Sequence, residues 1–353
     1  MNSDARKFLS GLIRAKSFSG QEGAAAKLCA ERMRQLGYRH VRIDEAGNAI
    51  GANYDYTKDG KCDLLLFSHL DTVGGFWDVK EAASGISGRG AVDAKGCMAS
   101  YIEAGASAPS QLKVVVAGVV EEEAPTSKGT YHLLKHLKPK MAVNGEPSNL
   151  EGVTIAYKGR IVVECRTEGE AAHAGMKADN PIERTFEYYE KLRQHFPRHH
   201  TFDSVIFNVT HIDYGKRDSL NIIPGHLDFF MDVRIPPNAD IEKIKHLFKS
   251  SAPAGVKVNI PEAFPGCEIE PASLLARAMV AALRSQGLTP RYLKKSGSAD
   301  MNITMAKGIP TIAYGPGDSK LDHTDKEYLK WSDYEKSIGV LKAFLHNPTL
   351  ISD

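Results

Sequence analysis

The sequence predicts an α/β protein with a mostly parallel central sheet, interrupted by a smaller α+β domain. In the first part of the chain, short apolar runs alternate with stretches that carry apolar residues at helical spacing, which is typical of parallel strands covered by helices. Near residue 156 the pattern changes to strands of alternating polarity, and after Pro271 the first pattern returns. The 353 residues also exceed the size at which a single core stops growing, so two domains are expected.

The first segment of the larger domain is predicted at residues 1–155. Apolar residues at helical spacing predict helices within 4–37, and residues 41–50 predict two strands around the turn Gly47-Asn48. Uninterrupted apolar runs predict buried strands at 64–67, 114–120 and 141–143. Residues 90–105 start in a glycine-rich turn and become a helix, and a further helix is predicted at 129–137.

The inserted domain is predicted at residues 156–262. Alternating polarity predicts antiparallel strands at 157–167, 205–211 and 227–235, joined by helices at 181–195 and 240–250 and a strand at 256–260. A helix at 272–286, a strand at 311–314 and a helix at 331–346 then complete the larger domain, which resumes at 263–353.

Composition and charge exclude several classes of function. The net charge is +2, so neither nucleic acid nor a membrane surface is expected as a partner. No apolar run approaches the roughly 18 residues of a membrane span, and the N-terminal residues lack a signal-peptide core, so we expect a cytoplasmic protein. The five cysteines form no Cys-x-x-Cys pair, which argues against a thiolate zinc site or a disulfide framework.

Polar residues follow the predicted strands at their carboxyl ends, where ligands bind in open α/β sheets. Each of them has a structural alternative: three adjacent glutamates are often a solvated turn, and a histidine between aspartates can lie on the surface. The glycine-rich turn at 88–96 matches neither nucleotide-binding glycine motif. The residues that follow strands are His69, Asp71, Asp93, Glu121, Glu122, Glu123, Glu146 and His323.

A two-metal site accounts for this set. His69 is followed two positions later by Asp71, so we expect the Asp71 carboxylate to hold the far ring nitrogen of His69 while the near one faces a metal. Zn²⁺ accepts both imidazole and carboxylate ligands, and a carboxylate can bridge two ions. Water between two ions becomes a nucleophile near neutral pH, and a remaining glutamate can take its proton.

The motifs SHLDTV, GRGAVDAKG, VVEEEAPTSKG, NGEPS, EAAHAG, NIIP, MDVR and LDHTDKEYL resemble those of the M20 family of metallopeptidases and aminoacylases, in the expected order between residues 68 and 328. The resemblance implies a zinc-peptidase-like catalytic domain with an inserted dimerisation or lid domain, and two Zn²⁺ per subunit, with Co²⁺ or Mn²⁺ as substitutes. It implies one ion at His69, Asp93 and Glu146 and the other at Asp93, Glu123 and His323.

The same resemblance assigns Asp71 to orienting His69 and Glu122 to the general base. The family usually has Asp-Glu-Glu where this chain has three glutamates, so a shift by one would make Glu121 the base and Glu122 the ligand.

In the inserted domain, the resemblance implies that His173 reaches the active site of a partner subunit in a homodimer and stabilises the oxyanion. Arg234 would bind the substrate's α-carboxylate through its planar guanidinium. Asn221 and Ser298 would line the same pocket.

One branch of the family resembles the chain most closely. Its members release lysine or ornithine from the C-terminal glutamate of a small acidic amino-group carrier protein. Such a substrate favours a basic rim, for which the sequence offers Arg160, Lys177, Arg184, Arg198, His199 and His200, although these also suit an ordinary solvated face. The alternatives are an N-acetylornithine or N-acetyl-lysine deacetylase, an M20 dipeptidase or carboxypeptidase, and an inactive dimeric metal-binding scaffold.

Overall fold

The structure, a computed structural model, describes residues 3–196, 201–215 and 220–350 and divides into two compact units. The larger unit comprises Met1–Ala156, Ile269–Lys294 and Ala299–Asp353, and the inserted unit comprises Tyr157–Glu268 and Lys295–Ser298. The inserted unit therefore extends beyond the predicted 156–262. Lys295 belongs to it because its carbonyl accepts a hydrogen bond of 3.2 Å from the Lys158 amide.

The chain begins with two helices and continues into alternating strands and helices of the larger unit. These elements are α1 (Ser3–Arg14), α2 (Gly23–Gln35), β1 (Arg39–Ile43), β2 (Ala49–Ala52), β3 (Lys61–His69), β4 (Lys80–Ala82), β5 (Gly85–Ser87), α3 (Lys95–Gly105), β6 (Val114–Val119), α4 (Lys128–His136), β7 (Lys138–Gly145) and β8 (Gly152–Tyr157).

The inserted unit follows with an antiparallel sheet and two helices. Its elements are β9 (Gly159–Glu168), β10 (Ala172–His173), α5 (Pro181–Arg193), β11 (Ile206–Asp213), β12 (Ile222–Ile223), β13 (His226–Ile235), α6 (Ile241–Ser250), β14 (Val256–Phe264) and β15 (Cys267–Glu268).

The C-terminal part returns to the larger unit. It contains α7 (Leu274–Ser285), β16 (Arg291–Lys295), α8 (Asp300–Ala306), β17 (Thr311–Tyr314), β18 (Tyr328–Lys330), α9 (Trp331–Leu345) and a 3₁₀ turn at Pro348–Leu350.

Within the larger unit, the central sheet has the order β1-β2-β6-β3-β7-β17-β8, and β16 also pairs with β8. Its middle strands β6, β3, β7 and β17 are parallel, whereas β2 joins β6 and β8 joins β17 in antiparallel pairs. The α/β fold with a mostly parallel core is therefore confirmed. Strand β6 is apolar and buried along its whole length because helices cover both faces of the sheet.

A close approach of β3 and β7 explains one glycine beside the predicted site. A Cβ atom added at Gly145, the last residue of β7, would lie 2.5 Å from Cβ of Ser68 on β3. Glycine therefore allows the ends of these two strands, which carry His69 and lead to Glu146, to lie side by side.

The four-stranded sheet of the inserted unit has the order β11-β13-β9-β14, with all neighbours antiparallel. Residues of β13 alternate between buried and half-buried, and the buried ones pack with Tyr188 on α5 and Phe248 on α6. The other face of the sheet carries charged side chains. Helix α5 is capped by Asn180, whose side chain accepts the Ile182 N–H, and begins with proline.

Within the described ranges 3–196, 201–215 and 220–350, no helix combines the length and the apolar character that crossing a membrane requires. All five cysteines are buried free thiols.

Candidate metal centre

His69 ends strand β3 and is almost completely buried. Its Nε2 lies 3.1 Å from Oδ1 of Asp93, so this nitrogen faces the carboxylates. Its Nδ1 lies 2.9 Å from the main-chain carbonyl of Asp71, and the nearest Asp71 carboxylate oxygen is 3.6 Å away. The expected carboxylate contact is therefore longer than a hydrogen bond and is accompanied by a main-chain one, because β3 ends at His69 and the alternation of a strand does not extend to Asp71.

Asp93 lies between two imidazoles. Its Oδ1 faces His69, and its Oδ2 lies 3.1 Å from Nε2 of His323. The same nitrogen of His323 is 3.0 Å from Oε1 of Glu123. The ligand atoms of His69, Asp93 and Glu123 all lie within 4.8 Å of one another, so residues far apart in the sequence meet in one cluster.

The electrostatics of this cluster show a concentration of negative charge. The hydrogen bonds to Asp93 and Glu123 raise the pKa of His323 to about 10. Burial would lower the pKa of His69, but its contacts with Asp71 and Asp93 outweigh burial and raise that pKa. Burial likewise opposes ionisation of Asp93, yet the hydrogen bonds from both histidines hold its pKa below the usual value.

Imidazole nitrogens and carboxylate oxygens that compete for positive charge are a donor set that suits Zn²⁺. A divalent cation would offset the negative charge of these carboxylates. The residues therefore fit the metal that the sequence predicts.

The main chain of the three glutamates is held by buried carboxylates. The Glu121 N–H donates to Oε1 of Glu22 at 3.0 Å, and the Glu122 and Glu123 N–H groups donate to the two oxygens of Asp71 at 3.1 and 3.0 Å. The Ser19 hydroxyl also donates to Asp71, at 2.8 Å. The Asp71 carboxylate thus positions the glutamate segment, a role that the sequence analysis missed along with those of Ser19 and Glu22.

The side chains of the three glutamates point to different partners. Glu121 adopts a left-handed φ of 58° and accepts hydrogen bonds from Thr126 at 2.8 Å and Lys128 at 3.2 Å. Glu123 contacts His323, whereas burial raises the pKa of Glu122 well above its ordinary value. This geometry favours Glu122 as the base and Glu123 as the ligand over the assignment shifted by one residue.

Two further buried carboxylates lie in the larger unit. Glu146 follows β7 and is 8% exposed, and its charge contributes to the raised pKa of Glu122. It is not part of the cluster of His69, Asp93 and Glu123. Asp300, at the start of α8, accepts a hydrogen bond from Thr130, and burial raises its pKa to about 6. No sequence motif pointed to Asp300.

The inserted unit brings its predicted site residues together in two pairs. His173 and Asn221 are exposed on the short β10–β12 ribbon, with Nε2 of His173 3.5 Å from Nδ2 of Asn221. Arg234 donates to Ser298 Oγ at 3.1 Å and, through Nε and Nη2, to both oxygens of Asp232 at 2.5 and 3.2 Å. The guanidinium is therefore already paired with a carboxylate of its own strand.

Some of the residues suggested for a basic rim already form ion pairs within the inserted unit. Arg160 pairs with Asp232 at 2.7 Å and Glu262 at 3.3 Å. Arg184 pairs with Asp179 at 2.7 Å. Lys177 is exposed, and Arg198, His199 and His200 lie outside the described residues.

Together, the parallel sheet and the cluster of histidines and carboxylates at its strand ends define an α/β protein with a centre for divalent cations. The chain belongs to peptidase family M20/M25/M40, whose sequence model matches residues 65–347. It is accordingly a metal-dependent hydrolase that acts on an amide bond, and the family prediction is confirmed.

Similar proteins agree over nearly the whole chain. A "[LysW]-lysine hydrolase" of Deinococcus radiodurans is 32% identical over 354 residues, covering 97% of this chain and 96% of the relative. A "[LysW]-lysine/[LysW]-ornithine hydrolase" of Saccharolobus solfataricus is 32% identical over 272 residues, covering 76% of this chain and 77% of that protein.

Solved structures share the fold. Aminopeptidase PepT from Bacillus cereus matches with a TM-score of 0.82 at 20% identity and covers 100% of both chains. The M20 metallo-carboxypeptidase Sso-CP2 from Sulfolobus solfataricus matches with a TM-score of 0.77 at 17% identity, covering 99% of this chain and 100% of that one.

Proposed function

We propose that this chain is a dinuclear zinc hydrolase that releases lysine or ornithine from the C-terminal glutamate of a small carrier protein. The observation that carries the chemistry is the Asp93 carboxylate, each of whose oxygens faces a different imidazole at 3.1 Å. The substrate is supported by the names of the relatives, which are similar to this chain over most of its length.

The proposed ligands form two sets that share Asp93. His69 and Glu146 would complete one set, and Glu123 and His323 the other. When bound, Zn²⁺ lowers the pKa of water and polarises the substrate's carbonyl oxygen, and Co²⁺ or Mn²⁺ suits the same donors.

Glu122 is the proposed general base. Its burial beside other carboxylates raises its pKa, which makes its carboxylate a better proton acceptor than that of an ordinary glutamate. Glu122 would take a proton as the water oxygen bonds to the amide carbon. It would return that proton to the nitrogen as the carbon–nitrogen bond breaks, so that lysine leaves as a free amine.

The inserted unit is proposed to supply substrate contacts. His173 would donate to the oxyanion that develops on the carbonyl oxygen. Arg234 and Ser298 would bind the carboxylate of the released amino acid. Because Asp232 already pairs with Arg234, we expect substrate to share or displace that contact.

A homodimer is part of the proposal. Strand β11 is an edge strand whose exposed side includes Val209 and Ile212 at 36% and 46% exposure. The ribbon that carries His173 exposes Leu220 at 81% and Met176 at 66%. Large apolar side chains exposed around an edge strand and around a candidate oxyanion donor are typical of a protein interface.

The test compares substrates. Purified protein loaded with zinc is offered the carrier protein bearing γ-glutamyl-lysine or γ-glutamyl-ornithine, and separately N-acetyl-lysine, N-acetylornithine and dipeptides. The proposal expects kcat/KM to be highest for the carrier-bound amino acid. Faster hydrolysis of the acetylated amino acids or dipeptides would support the corresponding alternative, and the absence of turnover on every substrate would favour the inactive scaffold.

A further inference from the structure

A buried ion pair that does not belong to the proposed ligand set lies next to the segments that carry Asp93 and His323. Nη1 of Arg89 is 2.6 Å from Oε1 of Glu327, and their side chains are only 6% and 1% exposed. The two residues are 238 positions apart. Burying two charges costs free energy that a simple ion pair often fails to recover, so the contacts around this pair indicate what it does.

Glu327 holds the segment that presents Asp93. Its second oxygen, Oε2, accepts hydrogen bonds from the main-chain N–H groups of Gly90, Val92 and Asp93 at 3.0, 3.0 and 3.2 Å. One carboxylate thereby fixes the backbone on both sides of the turn that leads to the shared ligand. Glu327 itself lies on the segment that follows His323, so it joins the two ligand-bearing segments.

Arg89 extends the connection to the segment after His69. Its Nε donates to the Gly75 carbonyl at 3.0 Å and its Nη2 to the Gly74 carbonyl at 3.1 Å. Its Nη1 donates to the Thr324 carbonyl at 3.0 Å, next to His323. The guanidinium also lies 4.8 Å from the ring of Trp77. A rigid fork with five N–H donors can contact all these groups at once, which a lysine ammonium cannot.

We propose that Arg89 and Glu327 are positioning residues that fix the spacing between Asp93 and His323 and thereby set the affinity and geometry of the metal centre. The inference rests on the proposed function only in so far as that function needs bound metal. Groups that orient metal ligands in this way change metal affinity or activity by roughly 10- to 100-fold when they are removed.

The experiment uses the full chain with Glu327→Gln and Arg89→Lys. Zinc affinity is measured by competition with a chromophoric chelator, and the Co²⁺-substituted proteins are compared by visible absorption. Both variants should bind zinc about 10- to 100-fold more weakly than the wild type and show an altered Co²⁺ spectrum. Arg89→Lys keeps the positive charge but lacks the planar fork of N–H donors, so it should not preserve wild-type zinc affinity.

The control is a second arginine–glutamate pair of the larger unit, which has the same residue types but is exposed. Arg14 and Glu81 lie 2.8 Å apart, but their side chains are 53% and 44% exposed. Arg14→Lys and Glu81→Gln should leave zinc affinity and the Co²⁺ spectrum unchanged.

Two results would overturn the inference. One is wild-type zinc affinity and spectrum in both folded variants. The other is a loss of zinc that follows only the loss of folded protein, monitored by circular dichroism, because that would assign the pair to general stability. Zinc binding needs no substrate, so a wild-type protein that binds zinc but releases no lysine would contradict the proposed function without touching this inference.

Discussion

The larger and the inserted unit differ in how deeply their functional residues are buried. In the larger unit, His69, Asp93 and Glu123 meet in a mostly buried cluster whose supporting main chain is held by the carboxylates of Asp71 and Glu327. In the inserted unit, His173 and Asn221 are exposed on a two-stranded ribbon. The metal cluster is therefore organised by contacts within the larger unit, whereas His173 and Asn221, proposed to contact substrate, lie exposed on a short ribbon of the inserted unit.

The largest expected effect is on the base in the larger unit. Glu122→Gln should lower kcat by roughly 10²- to 10⁴-fold, because the carboxamide cannot accept the proton. Zinc content should stay at the wild-type level, measured by elemental analysis, because Glu122 is not a proposed ligand. Glu121→Gln is the control, since Glu121 bonds to Thr126 and Lys128. A larger loss in Glu121→Gln than in Glu122→Gln would support the assignment shifted by one residue.

The next effect concerns the exposed histidine of the inserted unit. His173→Ala should lower kcat by about 10²- to 10³-fold, as expected for loss of one oxyanion donor, with zinc affinity unchanged. If His173 acts in a partner subunit, mixing this variant with Glu122→Gln should restore activity, because each mixed dimer then contains one intact site. Steady-state assays before and after subunit exchange measure this, and exchange without any gain in activity would contradict the shared site.

Zinc binding at the centre of the larger unit should depend on pH. In the metal-free protein the pKa of His323 is raised to about 10 and that of His69 is also raised, yet zinc needs neutral imidazoles. Zinc affinity should therefore increase with pH, by up to ~tenfold per pH unit for each proton released.

The folding stability of the metal-free protein should depend on pH in the opposite direction, because it should decrease as the pH rises. The raised pKa of His323 contributes stability that is complete below about 6.5, the ordinary value, and lost as the pH rises through about 10.

Calorimetry of zinc binding in buffers of different ionisation enthalpy measures the protons that zinc releases from the histidines. Binding without proton release would show that the histidines do not hold protons in the metal-free state.

The smallest expected effect is at an exposed ion pair of the inserted unit. Lys245 and Glu242 on α6 are 2.8 Å apart with side chains 28% and 74% exposed. Glu242→Gln should lower the free energy of unfolding by only about 0.2–0.5 kcal/mol, measured by urea denaturation. A loss well above ~1 kcal/mol would contradict the expectation that this exposed pair contributes little to stability.

The sequence predicted well those features that depend on local pattern. The buried strands β3, β6 and β7 and the residues at their carboxyl ends follow from apolar runs and from the geometry of parallel sheets. The short strands β4, β5 and β18 carry few apolar residues in succession and were not predicted, although they form a small sheet of the larger unit.

Long-range polar contacts could not be predicted. The pairing of Arg89 with Glu327, and of the Glu121 amide with Glu22, joins residues whose separation no periodicity encodes. The role of Asp71 also required coordinates, because the strand ends two residues before it. Likewise, the ion pairs that occupy Arg160 and Arg184 arise from cross-strand and loop neighbours, whose proximity depends on the folded chain.

The central claim is that Asp93 is shared by two cations. Zinc per chain, measured by elemental analysis after gel filtration of the wild type and of Asp93→Ala, tests it most directly. We expect two ions per wild-type chain and the loss of both in the variant. Two ions retained by folded Asp93→Ala protein would contradict it.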